Sequence, residues 1–109
     1  MTTRGRFKGQ AIDLESMVKF FKGGIVSKTI IETKEVEISL FCMAAGQSLS
    51  EHTSSRPAMV HILRGRGEVA LAGETYEAKA NMWFYIPRNL PHTVYSKKDM
   101  AFLLILSKK

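Results

Sequence analysis

The sequence predicts an all-β sandwich or barrel with one short helix near its N-terminus. Short segments rich in β-branched and aromatic residues recur along most of the 109 residues. Glycine, proline, asparagine or short polar clusters separate these segments at close intervals, which is typical of strands joined by turns. About eight such strands beside a single helical segment match the architecture of antiparallel sandwiches and barrels.

The helix is predicted over residues 14–21, where Met17 and Phe20 recur at helical spacing. Asp13 precedes this segment as a capping residue, and two glycines at 23–24 end it. We expect a short packing helix with no role in chemistry.

The predicted strands follow in chain order. They cover residues 25–33, 36–44, 58–64, 68–71, 74–78, 82–86, 91–96 and 100–107. Lys34-Glu35 and Ala72-Gly73 supply two of the turns. The last segment, MAFLLILS, is apolar on both faces, which predicts a strand buried on both sides.

The composition fits one domain with a core of its own. The chain has 45% hydrophobic residues, enough to fold at this length without a staple. The lone Cys42 excludes an intramolecular disulfide and suits a reducing compartment. No apolar run approaches the roughly 20 residues of a membrane span, and the first ten residues lead into no signal-peptide segment. We therefore expect a cytoplasmic protein with no membrane partner.

The basic residues do not form a nucleic-acid-binding pattern. The chain has 16 lysines and arginines and a net charge of +6. These residues are scattered, with no recognition-helix pattern and no aromatic-flanked basic motif. We interpret the charge as a solvated surface and do not expect nucleic acid as a partner.

Two stretches of the chain have a distinctive spacing. The first contains Gly46, five residues, the triplet His52-Thr53-Ser54, three residues, Ala58, six residues and Gly65. The second contains Asn81, five residues, the triplet Pro87-Arg88-Asn89, two residues, His92, three residues and Ser96. These spacings resemble the two motifs of the cupins, which are small jelly-roll β-barrels. The resemblance implies a single cupin domain over residues 1–109, with motif one at 46–65 and motif two at 81–96.

The residue identities match the cupin motifs in part. The matching positions are Gly46, His52, Gly65, Pro87 and His92. The departures are Ser54 for the second histidine, Ala58 for the glutamate, Asn81 and Asn89 for two glycines, and Ser96 for the final asparagine. Asparagine tolerates a positive φ better than most residues with a side chain, so we expect both asparagines to keep their turns.

The resemblance implies a metal site that has lost part of its ligands. In cupins, two histidines and a glutamate of motif one and the histidine of motif two bind a divalent transition metal. Only His52 and His92 occupy such positions in this chain. A first-row metal generally needs three or more protein ligands to be held. We therefore expect a weakly held divalent ion (Fe, Mn, Ni or Zn) at these two histidines, or no cofactor.

The third histidine, His61, is the remaining candidate ligand. Side chains alternate along a strand. If Ala58 points into the barrel, then Val60 and Ile62 do too, and His61 points outward. His61 would reach the other histidines only through a β-bulge, so we expect it on the outer face, where a partner subunit could cover it.

The lumen is predicted to be roomy and largely apolar. Its expected lining is His52, Ser54, Ala58, Val60, Ile62 and His92, joined by one alternate set from residues 82–86 and by either Cys42 or Met43. An apolar pocket with a few polar groups is typical of a small-molecule site, although large side chains fill the interior of many small barrels. We expect Trp83 to pack in the core.

Three functions are compatible with this sequence. The favoured one is a non-enzymatic module that binds a small molecule in the lumen. The alternatives are a metal-dependent oxygenase or isomerase that uses His52 and His92, and a structural protein that dimerises through an outer sheet face. The resemblance itself implies a homodimer. No catalytic triad is predicted, because residues two apart on a strand, as His52 and Ser54 would be, do not converge on one proton, and no acidic residue can be placed beside them.

Overall fold

The computed structural model describes residues 9–108, and the all-β prediction is confirmed. These residues form one 3₁₀ turn, Glu15–Met17, and nine strands. The strands are β1 Ile25–Glu32, β2 Val36–Met43, β3 Ser48–His52, β4 Ala58–Arg64, β5 Arg66–Leu71, β6 Glu74–Lys79, β7 Trp83–Ile86, β8 His92–Ser96 and β9 Met100–Ser107. Residues 1–8 and Lys109 lie outside the described residues. Residues 1–8 make up most of the N-terminal stretch in which the sequence predicts no signal peptide. Within residues 9–108, no helix has the length and hydrophobicity that crossing a membrane requires.

The strands form two antiparallel sheets that pack face to face. One sheet has the order β1-β2-β9-β4-β7 and the other has the order β3-β8-β5-β6. Most neighbours are not consecutive in sequence, so the chain crosses repeatedly between the sheets, as it does in a jelly roll. β9 lies between β2 and β4, and each of its residues is buried or half-buried. The apolar pattern of residues 100–107 therefore predicted a central strand correctly.

β3 is the strand that the sequence pattern missed. Its residues, SLSEH, include a single apolar side chain, so no apolar alternation marks it. It lies at the edge of the four-stranded sheet, beside β8. Its position therefore depends on pairing with β8 and not on its own hydrophobicity.

The predicted helix over residues 14–21 is wrong beyond its first turn. Only Glu15–Met17 is helical, and Val18 already has extended backbone angles, with φ −75° and ψ 122°. Asp13 does not cap the turn with its side chain; its carbonyl oxygen accepts the Ser16 hydroxyl at 2.7 Å. An isolated helix of this length is marginal in water, and packing against the sheet favours the extended path.

The segment after the 3₁₀ turn covers part of the outer face of the five-stranded sheet. An outer cluster forms there from Leu40, Cys42 and Ala101 on the sheet and Met17, Val18 and Phe20 of the segment. The Arg64 guanidinium lies 5.7 Å from the centroid of the Phe20 ring and 3.4 Å from the Glu15 carboxylate. Of the two candidates on β2, Met43 points into the interior and Cys42 does not.

The main core lies between the two sheets. Its buried apolar residues are Met43, Ala58, Val60, Ile62, Val69, Ala78, Phe84, Ile86, Val94, Met100 and Phe102. β4 alternates as predicted: Ala58, Val60 and Ile62 are buried in this core, and the residues between them are half-buried on the other face. In β7, the alternate set that faces inward is Phe84 and Ile86.

Trp83 is not a core residue, contrary to the prediction. Its side chain is 55% exposed and that of Tyr85 is 50% exposed. The two rings stack with their centroids 6.5 Å apart. Both point outward, because side chains alternate along β7 and Phe84 faces the core. Residues 82–86 are apolar or aromatic at every position, so the sequence could not reveal which alternate set is buried.

The turns of the two motif stretches have left-handed backbone conformations. φ is +83° at Gly46, +95° at Gly65, +74° at Asn81 and +62° at Asn89. The two asparagines therefore keep turns that normally favour glycine, as expected. Gly65 has a further constraint, because a Cβ atom there would collide with the Asp99 carbonyl oxygen and would lie 2.6 Å from Met100 Cα.

We predict that Gly65→Ala destabilises the fold far more than Gly73→Ala. Overpacking against the backbone costs about 1–3 kcal/mol and left-handed strain about 1–2 kcal/mol, about 2–5 kcal/mol together. Gly73, in the β5–β6 hairpin, has φ +84° but no atom within 4 Å of an added Cβ. The Gly73→Ala variant therefore measures the cost of the left-handed conformation without overpacking. The free energy of unfolding in urea measures both variants. Equal losses would contradict the close approach of residue 65 to Asp99.

Candidate ligand site

A cavity of about 280 Å³ lies between the two sheets. Its wall consists of Phe41, Leu49, His52, Ser54, Ala58, Val60, Ile86, His92, Val94, Phe102, Leu104 and Leu106. Two imidazoles and one hydroxyl are the polar groups in an otherwise apolar lining. Of the residues predicted to line the lumen, His52, Ser54, Ala58, Val60, Ile86 and His92 are in the wall. Ile62, Phe84 and Met43 are buried elsewhere in the core and do not reach it.

The two motif histidines face each other across neighbouring strands. His52 ends β3 and His92 begins β8, and the antiparallel register places them opposite each other. Their ring centroids are 4.1 Å apart, and the ring planes are inclined at 60°. His92 is 7% exposed, whereas His52 is exposed. The pairing of β3 with β8 thus joins two residues that lie 40 positions apart in the sequence.

A β-bulge in β3 turns His52 toward the cavity. The register pairs Leu49 with Val94 and His52 with His92, so three steps along β3 match two steps along β8. In a regular strand, residues 49 and 52 would point to opposite faces, yet both line the cavity. The extra residue of the bulge resolves this conflict. The polar sequence of β3 gives no signal of the bulge.

Backbone hydrogen bonds fix the orientation of each imidazole. Nδ1 of His52 lies 2.7 Å from the carbonyl oxygen of Ser50, and Nδ1 of His92 lies 2.8 Å from the carbonyl oxygen of Leu90. A carbonyl oxygen only accepts hydrogen bonds, so Nδ1 is the donor in each ring. In the neutral imidazole, Nε2 then has the free lone pair. Each neutral ring therefore has one acceptor nitrogen available to a ligand.

Ser54 lies in the loop after β3, so it does not share a strand with His52. Its hydroxyl oxygen accepts the backbone N–H of Arg56 at 3.1 Å. Its carbonyl oxygen accepts the backbone N–H of Asn89 at 2.8 Å, which ties this loop to the turn before β8. Because the hydroxyl oxygen acts as an acceptor toward Arg56, its own O–H is available as a donor.

The other sulfur and nitrogen candidates do not join the histidine pair. His61 lies opposite Trp83 and Leu103 on the outer face of the five-stranded sheet, and Cys42 is buried in the outer cluster. Among the described residues, no group of three or more His, Cys, Asp or Glu could hold a metal ion. The donor set at the cavity is two imidazoles, which does not fit a tightly held first-row metal.

The lining has few groups for acid–base chemistry. Within the described part of the chain, the residues of the cavity wall include no carboxylate, thiol or amine. Nδ1 of each histidine faces a backbone carbonyl oxygen, and not the acidic partner that orients the base of a nucleophilic triad. The apolar majority offers surface that a ligand can bury, and the three polar groups can orient it.

Sequence comparison relates the chain to a known family. A family model described as Cupin domain matches residues 39–106, which include both histidines of the cavity. An uncharacterised protein from Aquifex aeolicus (strain VF5) is 27% identical over 96 residues, which cover 86% of this chain and 79% of that protein.

Solved structures share the whole architecture. A conserved protein of unknown function from Streptococcus pyogenes superposes with a TM-score of 0.83 at 28% identity, covering 92% of this chain and 88% of the other. A cupin superfamily protein from Desulfitobacterium hafniense superposes with a TM-score of 0.84 at 20% identity, covering 94% of each chain. Neither similarity identifies a ligand.

We predict that the wild-type protein, purified without a histidine tag, holds well under one metal ion per chain, whereas Ser54→His/Ala58→Glu holds Fe, Mn, Ni or Zn. The double substitution supplies the two donors that the motif lacks. We expect the metal affinity to rise by more than about 100-fold, the upper end of what even outer-shell partners contribute. Elemental analysis after metal supplementation measures both proteins.

The control adds His52→Ala to the double variant, and we expect it to remove the gain in affinity. Stoichiometric metal in the wild-type protein that disappears in His52→Ala/His92→Ala would contradict the conclusion that two donors are insufficient.

Proposed function

The chain belongs to the cupin family, and from this premise we propose that it is a non-enzymatic module that binds a small molecule between its two sheets, without a resident metal. The wall of the cavity is the observation that supports this function. It combines a largely apolar surface with two imidazoles whose orientation is fixed by backbone carbonyls. The residues that we assign to the ligand are His52, Ser54, Ala58, Val60 and His92.

The two kinds of wall residue have separate tasks in this proposal. Apolar side chains such as Val60 and Ala58 supply the contacts against which a ligand buries its own apolar surface, at roughly 25 cal/mol for each Å² removed from water. The imidazoles and the hydroxyl supply orientation, because a hydrogen bond to a fixed group is strongly directional. Ala58 supports the assignment in particular, since a methyl group stands where the cupin motif has a carboxylate.

A metal-dependent oxygenase or isomerase is the alternative function. In it, His52 and His92 would hold a divalent ion whose remaining positions the substrate completes. The Nδ1 bonds to backbone carbonyls favour this alternative, because imidazoles that bind metals are usually oriented in this way. The two-imidazole donor set argues against it, and binding without metal remains the better-supported function.

Dimerisation through the outer face of the five-stranded sheet is a second alternative, which is compatible with ligand binding. Trp83 and Tyr85 are exposed on that face. Met59 and Ile105, which are half-buried, lie beside them on the neighbouring strands β4 and β9. An exposed apolar patch of this kind marks an interaction site, and we propose a second copy of the chain as the partner. A homodimer would also cover His61.

The free thiol of Cys42 bears on the location of the protein. Unpaired cysteines are typical of reducing compartments. We therefore propose a cytoplasmic location.

We predict that Ala58→Leu abolishes ligand binding without unfolding the protein, whereas Met59→Leu leaves binding intact. The larger side chain at position 58 extends into the cavity, and the neighbouring residue 59 faces the other side of the sheet. Saturation-transfer NMR with a library of small neutral aromatic and aliphatic fragments measures binding, and thermal unfolding verifies the fold. A wild-type protein that binds no fragment, or an Ala58→Leu variant that binds them equally well, would contradict the proposal.

We predict that Trp83→Ser/Tyr85→Ser converts a homodimer into a monomer with its fold intact, as measured by light scattering coupled to size exclusion. Tyr95→Ser is the matched control, because Tyr95 is 38% exposed but lies on the four-stranded sheet. In the wild-type dimer, the fluorescence of Trp83 should be blue-shifted relative to a monomeric variant. A monomeric wild-type protein, or equal dissociation by the Tyr95 variant, would exclude this interface.

A further inference from the structure

We infer that the cavity recognises a neutral hydroxyl group, so that its ligand is a small apolar alcohol or phenol. This inference rests on the proposed binding function and specifies the chemistry of the ligand. It follows from the hydrogen-bonding capacity of the three polar groups in the wall and from the apolar character of the remainder.

The histidines act as acceptors toward the ligand. Nδ1 of each ring donates to a backbone carbonyl oxygen, that of Ser50 for His52 and that of Leu90 for His92. Each neutral ring is then left with Nε2, which accepts a hydrogen bond and cannot donate one. A ligand that satisfies either imidazole must therefore provide a donor. Ethers, ketones and carboxylates have no donor to provide.

Ser54 supplies a hydrogen-bond donor to complement the two acceptor nitrogens. Its oxygen accepts the N–H of Arg56 at 3.1 Å, and its O–H is available to donate into the cavity. The wall thus offers acceptors from the imidazoles and a donor from the serine. A hydroxyl group is the smallest group that answers both, because one oxygen atom donates its proton and accepts another.

The rest of the wall determines the body of the ligand. Its remaining side chains are all aliphatic or aromatic, among them Phe41, Leu49, Val60 and Leu104. While both imidazoles are neutral, a charged group in this surrounding would lose its hydration without gaining a counter-charge. A carboxylate would also bring its acceptor oxygens against the Nε2 lone pairs. The lining therefore selects a neutral, apolar molecule with a single hydroxyl.

Matched fragments test the inference. Two series share one body each: phenol, anisole and benzoate, and cyclohexanol, methoxycyclohexane and cyclohexanecarboxylate. Dissociation constants are measured by NMR titration of the wild-type protein in buffer with a chelator, so that no metal bridges the contact. We expect the hydroxyl member to bind about tenfold more tightly than the ether, as one hydrogen bond and the avoidance of an unpaired acceptor imply, and the carboxylate to bind most weakly.

Different results would contradict the preference for a hydroxyl group and the proposed binding function. Equal binding of the hydroxyl and ether members would overturn the hydroxyl preference and leave the binding module standing. Tightest binding of the carboxylates would overturn the preference in favour of an anionic ligand. If no member of either series binds, both the inference and the proposed function are overturned.

Variants of His52 and His92 test which imidazole is responsible for the preference for a hydroxyl group. In His92→Asn, the carboxamide can still donate to the Leu90 carbonyl oxygen but has no atom at the position of Nε2, so the ratio of ether to hydroxyl dissociation constants should fall toward one. In His92→Gln, a carboxamide oxygen can reach that position and should restore part of the ratio. His52→Asn repeats the test at the exposed ring, where misfolding is less of a concern. An unchanged ratio in both asparagine variants would overturn the inference.

Discussion

The pairing of β3 with β8 is the interaction on which the candidate site depends. β3 has little apolar surface of its own, and its register with β8 sets His52 opposite His92. Within β3, the bulge between Leu49 and His52 directs both side chains to the cavity. Each ring is then held by a carbonyl oxygen two residues earlier in its own chain segment. The imidazoles are therefore oriented before a ligand arrives, which lowers the ordering cost of binding.

The two substituted motif positions change the electrostatics of the interior. With Ala58 in place of a carboxylate and Ser54 in place of an imidazole, the cavity lacks the negative charge and the donor atoms that stabilise a divalent cation away from water. The same substitutions leave apolar surface and free volume in the wall. A pocket that is poor for an ion is thereby better for an uncharged organic molecule, because apolar contacts replace coordination bonds as the source of affinity.

The sequence could predict those features that depend on local chemistry. Segments rich in β-branched and aromatic residues, bounded by turn residues, located eight of the nine strands of the described chain, and the tolerance of asparagine for a positive φ predicted the turns at Asn81 and Asn89. The spacing shared with cupins paired His52 with His92. The features that the sequence could not predict depend on contacts between distant segments. The exposure of Trp83 follows from which face of β7 meets the other sheet, and the extended path after Met17 follows from packing on the outer cluster.

The acceptor character of the cavity depends on the tautomer of His52 and His92. Long-range ¹H–¹⁵N correlation NMR of the imidazoles distinguishes the two nitrogens directly. The spectrum is recorded at about pH 8, and the ¹⁵N shifts themselves report whether each ring is neutral. We expect a protonated Nδ1 and an unprotonated Nε2 in both His52 and His92. A protonated Nε2 in either ring would contradict the hydrogen bonds to Ser50 and Leu90, and with them the ligand chemistry derived from this site.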